Sequence, residues 1–189
     1  TVGVNAGYTQ QDVREAARAL TGWGVESRPR QRDFGQFEFH ALAHDDGAKS
    51  VFGLTLPAGL GRDDGERLLD FLARHPATAK HLATKLCQRL VSDSPSPQLV
   101  DRVAAVFLST DGDLPSTYRA IVESPEFWSS AGSKTRTPFE FVIASVRAVG
   151  TLDEAQRPLA AALEVLGQPP YRCAPPTGYR DDAAAWVSA

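Results

Sequence analysis

A chain of 189 residues that is 42% hydrophobic and 23% charged has the composition of a globular domain with a sizeable core, or of a large piece of a bigger one. Its formal net charge of −3 offers no basic field to attract nucleic acid or an anionic membrane surface. No apolar run reaches the roughly 18 residues that a membrane span needs, so neither nucleic acid nor a bilayer-crossing segment belongs to this stretch.

No charged-then-apolar segment opens the chain, so no export signal is read in it. It begins at Thr1 and contains no methionine, which reads as a fragment, a processed form or a trimmed piece of a longer protein.

In chain order, the first element is the helix in YTQQDVREAARALTGWG. Thr9 is placed to cap it, Asp12 stands at the favourable third position, and Gly22 ends it. Val13, Ala16, Ala17 and Leu20 give an apolar stripe at helical spacing. Trp23 is expected to cap this helix and pack in the core. ESRPRQRD follows as a polar loop. FGQFEFHAL then alternates, with Phe37 and Phe39 on one face and Glu38 and His40 on the other, and KSVFGLTL has the composition of a partner strand. Together they predict one β-hairpin near 34–56 with HDDGA in its turn.

The rest reads as helical. GERLLDFLARH carries Leu68, Leu69 and Leu72. HPATAKHLATKLCQRLV starts with Pro76 at its first position and packs through Ala79, Leu82, Ala83, Leu86 and Leu90, with Cys87 bordering the stripe. PQLVDRVAAVFLST packs through Leu99, Val103, Val106 and Phe107. Asp113 caps a helix expected to bury Leu114, Tyr118, Ile121 and Val122, and SPEFWS turns Phe127 and Trp128 inward. TPFEFVIASVRAVG has a complete capping signal in Thr137, Pro138 and Glu140. It is apolar almost all round, which predicts the most buried helix of the fold. A last helix runs from about Pro158 to Leu166. A proline-rich tail follows it, with Trp186 available for docking. The fold class is therefore mainly α: an irregular multi-helix bundle of seven or eight helices with one small β-hairpin. Residues 1–189 form a single helical domain or the C-terminal part of a larger one.

The densest run of reactive side chains is HDDGAKSVFG, residues 44 to 53. His44, Asp45 and Lys49 are the candidate catalytic residues, because a histidine moves protons near neutrality and a nearby ammonium stabilises an anion. The structural reading of the same run is a turn. In it an aspartate bonds downstream backbone N–H groups, Gly47 supplies a positive φ, and His44 and Lys49 flank the turn without converging on a cavity. The structural reading is favoured, since one short turn lacks the supporting residues a site needs. The four histidines and two cysteines show no ligand spacing, so no metal and no cofactor is expected. Cys87 and Cys173 are expected to be unpaired thiols. Thr1, whose own amine can activate its hydroxyl, reads as a boundary rather than a nucleophile. Gly178, Tyr179 and Trp186 read as a tail clamp rather than a ligand cage.

Several strings together resemble the bacterial domain-of-unknown-function 1800 family. They are Gly7-Tyr8-Thr9-Gln10, Asp12-Val13, Ala17 to Trp23, Phe37 and Phe39, then His44, Asp45, Gly47 and Lys49. His75-Pro76, Thr78-Ala79, Lys85-Leu86, Asp111 to Leu114, Ser124 to Phe127, Pro138-Phe139-Glu140, Gly167-Gln168-Pro169 and Pro175-Pro176 with Gly178 follow in order. Cys87 stands where an aromatic is common, and Tyr179 where a tryptophan is frequent. The resemblance implies a chain that continues upstream and an exported, periplasmic or extracellular protein, but no accepted activity.

Two functions stay open. One is a non-catalytic structural or interaction domain whose partners are the missing N-terminal portion of the same protein and a further protein. The other is a hydrolytic enzyme whose site combines the 44–49 turn with that missing portion.

Overall fold

The computed structural model of the chain describes residues 2–27, 33–150, 156–175 and 177–187, with side chains left aside at 156–158. Among them are eight α-helices and four three-residue strands, so the chain is mainly α as expected. Thr1 and most of the RPRQRD loop lie outside the described residues.

The chain divides into two compact units. The first comprises Thr1–His81 with Phe107–Gly112. It holds α1 (Gln10–Ala19), β1 (Trp23–Val25), β2 (Phe37–Phe39), β3 (Lys49–Val51), β4 (Leu54–Leu56) and α2 (Asp63–Ala73). Its core is Ala19, Val51, Leu56 and Leu68, with Ala16, Phe52, Leu54, Leu60 and Leu72 packed around it. Leu69, expected in that core, is 49% exposed.

The strands do not pair as the alternation suggests. FEF runs antiparallel to WGV, with Trp23 opposite Phe39 and Val25 opposite Phe37. KSVFGLTL is a hairpin by itself, with Val51 opposite Leu54. Its two-residue turn is Phe52-Gly53, both at positive φ (51° and 91°), the conformation that matches the twist of paired strands. Phenylalanine rarely adopts it. Here the Phe52 N–H donates to Asp12 Oδ1 at 2.6 Å, and its ring packs on Tyr8 and His75. Asp12 thus serves twice, since its other oxygen completes the α1 capping box with Thr9. HDDGA is consequently a connection between two separate hairpins, not the turn of one.

α1 is rotated from the orientation its apolar stripe predicts. It buries Glu15 and Ala19, and leaves Val13 (44%) and Leu20 (37%) exposed. The polar side of the helix turns inward because a partner is there: Arg18, paired with Glu15 at 2.7 Å, also pairs with Asp45 at 2.7 Å.

The second unit comprises Leu82–Val106 with Asp113–Ala189. The helix α3 (Pro76–Leu90) enters it with Ala83 and Cys87 fully buried, so Cys87 lies in the packed stripe rather than beside it. α4 (Pro97–Ser109) contributes Leu99, Val100, Val103 and Ala104. α5 (Leu114–Val122) is capped by Asp113 and buries Thr117 and Ile121. Leu114, Tyr118 and Val122, expected inside, are 40–47% exposed. Trp128 of α6 (Pro125–Ser129) is 69% exposed, where an inward turn was expected.

The largest departure is α7 (Pro138–Val149). Its capping box is as predicted, with Thr137 Oγ1 accepting from the Glu140 N–H and Glu140 Oε2 accepting from the Thr137 N–H, and Gly150 ends it at φ 81°. Yet it buries only Pro138 and Val142, while Phe139, Phe141 and Val149 are 50–76% exposed. It is not the central helix. Among the described residues, α8 (Gln156–Val165) is the helix most extensively packed against it.

The tail is held by polar links within this unit. Arg89 pairs with Asp181 at 2.8 Å and with Glu140, Lys134 donates to Asp93 at 2.5 Å, and Asp93 accepts the Ala183 N–H at 2.7 Å. Trp186 Nε1 donates to the Arg180 carbonyl at 2.9 Å beside the Tyr179 ring, the clamp expected of that segment. Cys87 and Cys173 are both free, and burial pushes the Cys87 thiol up to about 11.

Candidate functional site

His44, Asp45 and Lys49 are brought together in the first unit, with four residues that the sequence did not single out. Arg18 and Thr21 come from the end of α1 and the turn after it, Glu15 from the same helix, and Asp64 from the first turn of α2.

The outer layer is an ion pair. Arg18 grips Asp45 with two parallel bonds, Nε to Oδ2 at 2.7 Å and Nη2 to Oδ1 at 3.0 Å. The Gly47 N–H also donates to Asp45 Oδ1 at 3.0 Å, which is the side-chain bond to backbone expected of this turn. The Arg18 guanidinium first, and the Gly47 N–H second, hold the Asp45 carboxyl well below the usual carboxylate range. In turn Asp45 first, and Glu15 second, push Arg18 up.

Gly47 itself is not at positive φ, contrary to expectation. Its missing side chain matters for space instead. A Cβ there would stand 2.9 Å from Arg18 Nη2 and 3.1 Å from Asp45 Oδ1. Glycine lets the guanidinium reach the carboxylate.

The inner layer is closed to solvent. The side chains of His44, Lys49 and Asp64 are 1%, 0% and 0% exposed. His44 and Lys49 therefore do converge, against expectation, but on a carboxylate rather than on a cavity. His44 Nε2 lies 3.1 Å and Lys49 Nζ 2.6 Å from the same oxygen, Asp64 Oδ2. Lys49 Nζ also donates to the Asp45 carbonyl and, at 2.8 Å, to the Gly47 carbonyl. Three N–H bonds on three acceptors use the whole donor capacity of an ammonium.

His44 Nδ1 lies 2.8 Å from the Thr21 carbonyl, an oxygen that can only accept, so this nitrogen carries a proton. Thr21 Oγ1 donates to the Arg18 carbonyl at 2.6 Å and accepts the Asp45 N–H at 2.9 Å, tying the run to the end of α1.

Asp64 stands at the second position of α2, where the helix N-terminus favours a negative charge. The next residue, Gly65, leaves room for the Trp23 indole, which a Cβ there would overlap. Two buried atoms here have no protein partner, Asp64 Oδ1 and Trp23 Nε1. Among the described residues, no three His, Cys, Asp or Glu side chains form a metal-holding group. Hollows lie elsewhere: one of about 490 Å³ beside Arg102, Glu123 and Glu126, and one of about 230 Å³ beside Cys173, Tyr179 and Trp186.

The chemistry available is thus internal. A proton-carrying ring, an ammonium and a carboxylate share one oxygen atom, and no face of the trio is open to a substrate. The sequence signal for Asp64 was faint. RDDGE reads as an ordinary acidic helix start, and nothing local links it to a histidine 20 residues earlier.

Compared with known proteins, the chain matches, over residues 1–189, the model of a family described as protein of unknown function (DUF1800). Neither the curated proteins nor the solved structures gave a match. With the ordered run of motifs and a match spanning every residue, the chain belongs to the DUF1800 family.

Proposed function

We propose that this chain is a non-catalytic structural or interaction domain of an exported bacterial protein. The observation that carries this reading is the closure of the inner trio, in which His44, Lys49 and Asp64 are at most 1% exposed and His44 and Lys49 both meet Asp64 Oδ2. A catalytic group must reach a substrate. These reach only the protein. Their role is to fasten the 44–49 connection to α1 and α2, and that rigid unit is what the domain offers its partners. The half-exposed apolar side chains of α7, Phe139 and Phe141, support the interaction part of the reading. The family resemblance supports the bacterial origin and the export.

Diethyl pyrocarbonate, which acylates accessible imidazole nitrogens, tests the closure. His40, whose side chain is 51% exposed, should react in the folded protein, whereas His44 should react only after unfolding. Acylation of His44 at the rate of His40 in the folded state would mean that the trio opens to solvent, and would remove the reading.

A further inference from the structure

We propose that Lys49 and Asp64 become joined by an amide bond between their side chains, so that the first unit carries a covalent cross-link which it forms by itself. The groups are already in place. Lys49 Nζ is 2.6 Å from Asp64 Oδ2, both side chains are fully buried, and a third group able to move protons, His44 Nε2, sits 3.1 Å from the same oxygen. Lysine amines are competent nucleophiles when desolvated, and fixed proximity replaces a large part of the barrier to bond formation.

The steps balance without any outside reagent. Nζ passes one proton to Oδ2, turning the ion pair into an amine and a carboxylic acid, the neutral form that a water-free interior favours over separated charges. The two remaining N–H bonds hold the nitrogen to the Asp45 and Gly47 carbonyls and leave its lone pair for Asp64 Cγ. Attack forms the C–N bond. The nitrogen passes a second proton to Oδ2, the oxygen it already faces, while His44 Nε2 accepts a hydrogen bond from the first proton there, and Oδ2 leaves as water as the C–O bond breaks. The bond from His44 Nδ1 to the Thr21 carbonyl keeps Nε2 aimed at that oxygen throughout. An ammonium and a carboxylate have become one amide and one water.

A second observation favours the product. Asp64 Oδ1 is buried without a partner. As half of a carboxylate that oxygen shares a full negative charge, whereas as an amide oxygen it is neutral and far less costly to leave dry. Closure of the site also keeps out the water that would hydrolyse the bond.

The cross-link rests on the same closed geometry as the structural reading, but the two fail separately. The test is the intact mass of the purified, folded full chain, measured after denaturation. The expected result is a mass below that of the sequence by one water, with a digest yielding the peptides of Lys49 and Asp64 joined. Lys49→Met should restore the full mass, and His44→Gln should leave a fraction of the chains unlinked. Asp46-Gly47, Asp64-Gly65 and Asp111-Gly112 can also lose water, by cyclising onto the backbone. That product opens in mild alkali, whereas a side-chain amide survives. The full sequence mass in the wild type, or a deficit that mild alkali removes, overturns the cross-link. Either result leaves the protection of His44 from acylation, and with it the structural reading, untouched.

Discussion

The connection around His44 and the helix α7 invert what their compositions suggest. HDDGAK is polar, yet its histidine and lysine side chains are closed to solvent, at 1% and 0% exposure. FEFVIASVRAV is apolar, and two of its phenylalanines are at least half exposed. The difference lies in what each segment is offered. A buried polar group is tolerated when every donor finds an acceptor, and Lys49 finds three. An apolar helix is buried only as far as other elements cover it. Burial thus follows the partners available, with composition stating only the demand.

Removing a partner from the enclosed trio should have the largest effect. Asp64→Ala leaves the Lys49 ammonium inside without its counter-charge. Breaking a buried pair from one side typically costs about 3–5 kcal/mol. Urea denaturation followed by circular dichroism should show that loss, and a midpoint unchanged within error would mean that the trio is not enclosed.

On α7 the effects should split by exposure rather than by hydrophobicity. Val142, 7% exposed, loses two buried carbons in Val142→Ala, worth roughly 1–2 kcal/mol. Phe141, 57% exposed, is the larger side chain, yet Phe141→Ala should stay within about 0.5 kcal/mol. The reverse order would place α7 inside the fold after all.

The outer ion pair should give the smallest effect, and a pH-dependent one. The Asp45 carboxyl is held below its ordinary value in the folded state, so its contribution is complete above the unfolded value and is lost as pH falls through the folded one. The melting temperature of Asp45→Ala should lie below that of the wild type by a constant margin from neutrality down to about pH 5. The gap should close progressively below roughly pH 4, near and under the ordinary carboxylate range. A gap that widens in acid would contradict the Arg18 pairing.

What could be read from the sequence was what short-range rules govern. The capping boxes of Thr9 with Asp12 and of Thr137 with Glu140, and the Asp113 cap, were legible because each is written within four residues. The count of helices and the mainly α class follow from the same periodicities. The strand pairing was not legible, because the turn of the second hairpin is Phe52-Gly53. The first of these is a residue that seldom takes positive φ and does so here with the help of Asp12, 40 residues away. The faces of α1 are hidden from the sequence for a related reason. Its Glu15 and Arg18 look like solvent residues until Asp45 is placed against them. Of the candidate site, His44, Asp45 and Lys49 stood out, and the structural reading of their turn agrees with the Asp45–Gly47 bond. Asp64, the residue on which two of them converge, did not stand out, since its partners are fixed by tertiary contact alone.

A double-mutant cycle on Lys49 and Asp64 asks whether the polar cluster is enclosed and satisfied from within. Lys49→Met and Asp64→Leu each strand one charge, while the double variant strands none between these two. The double variant should unfold at a higher urea concentration than either single variant. A double variant destabilised by the sum of the two single losses would show two independent, solvated side chains, and would contradict that enclosure.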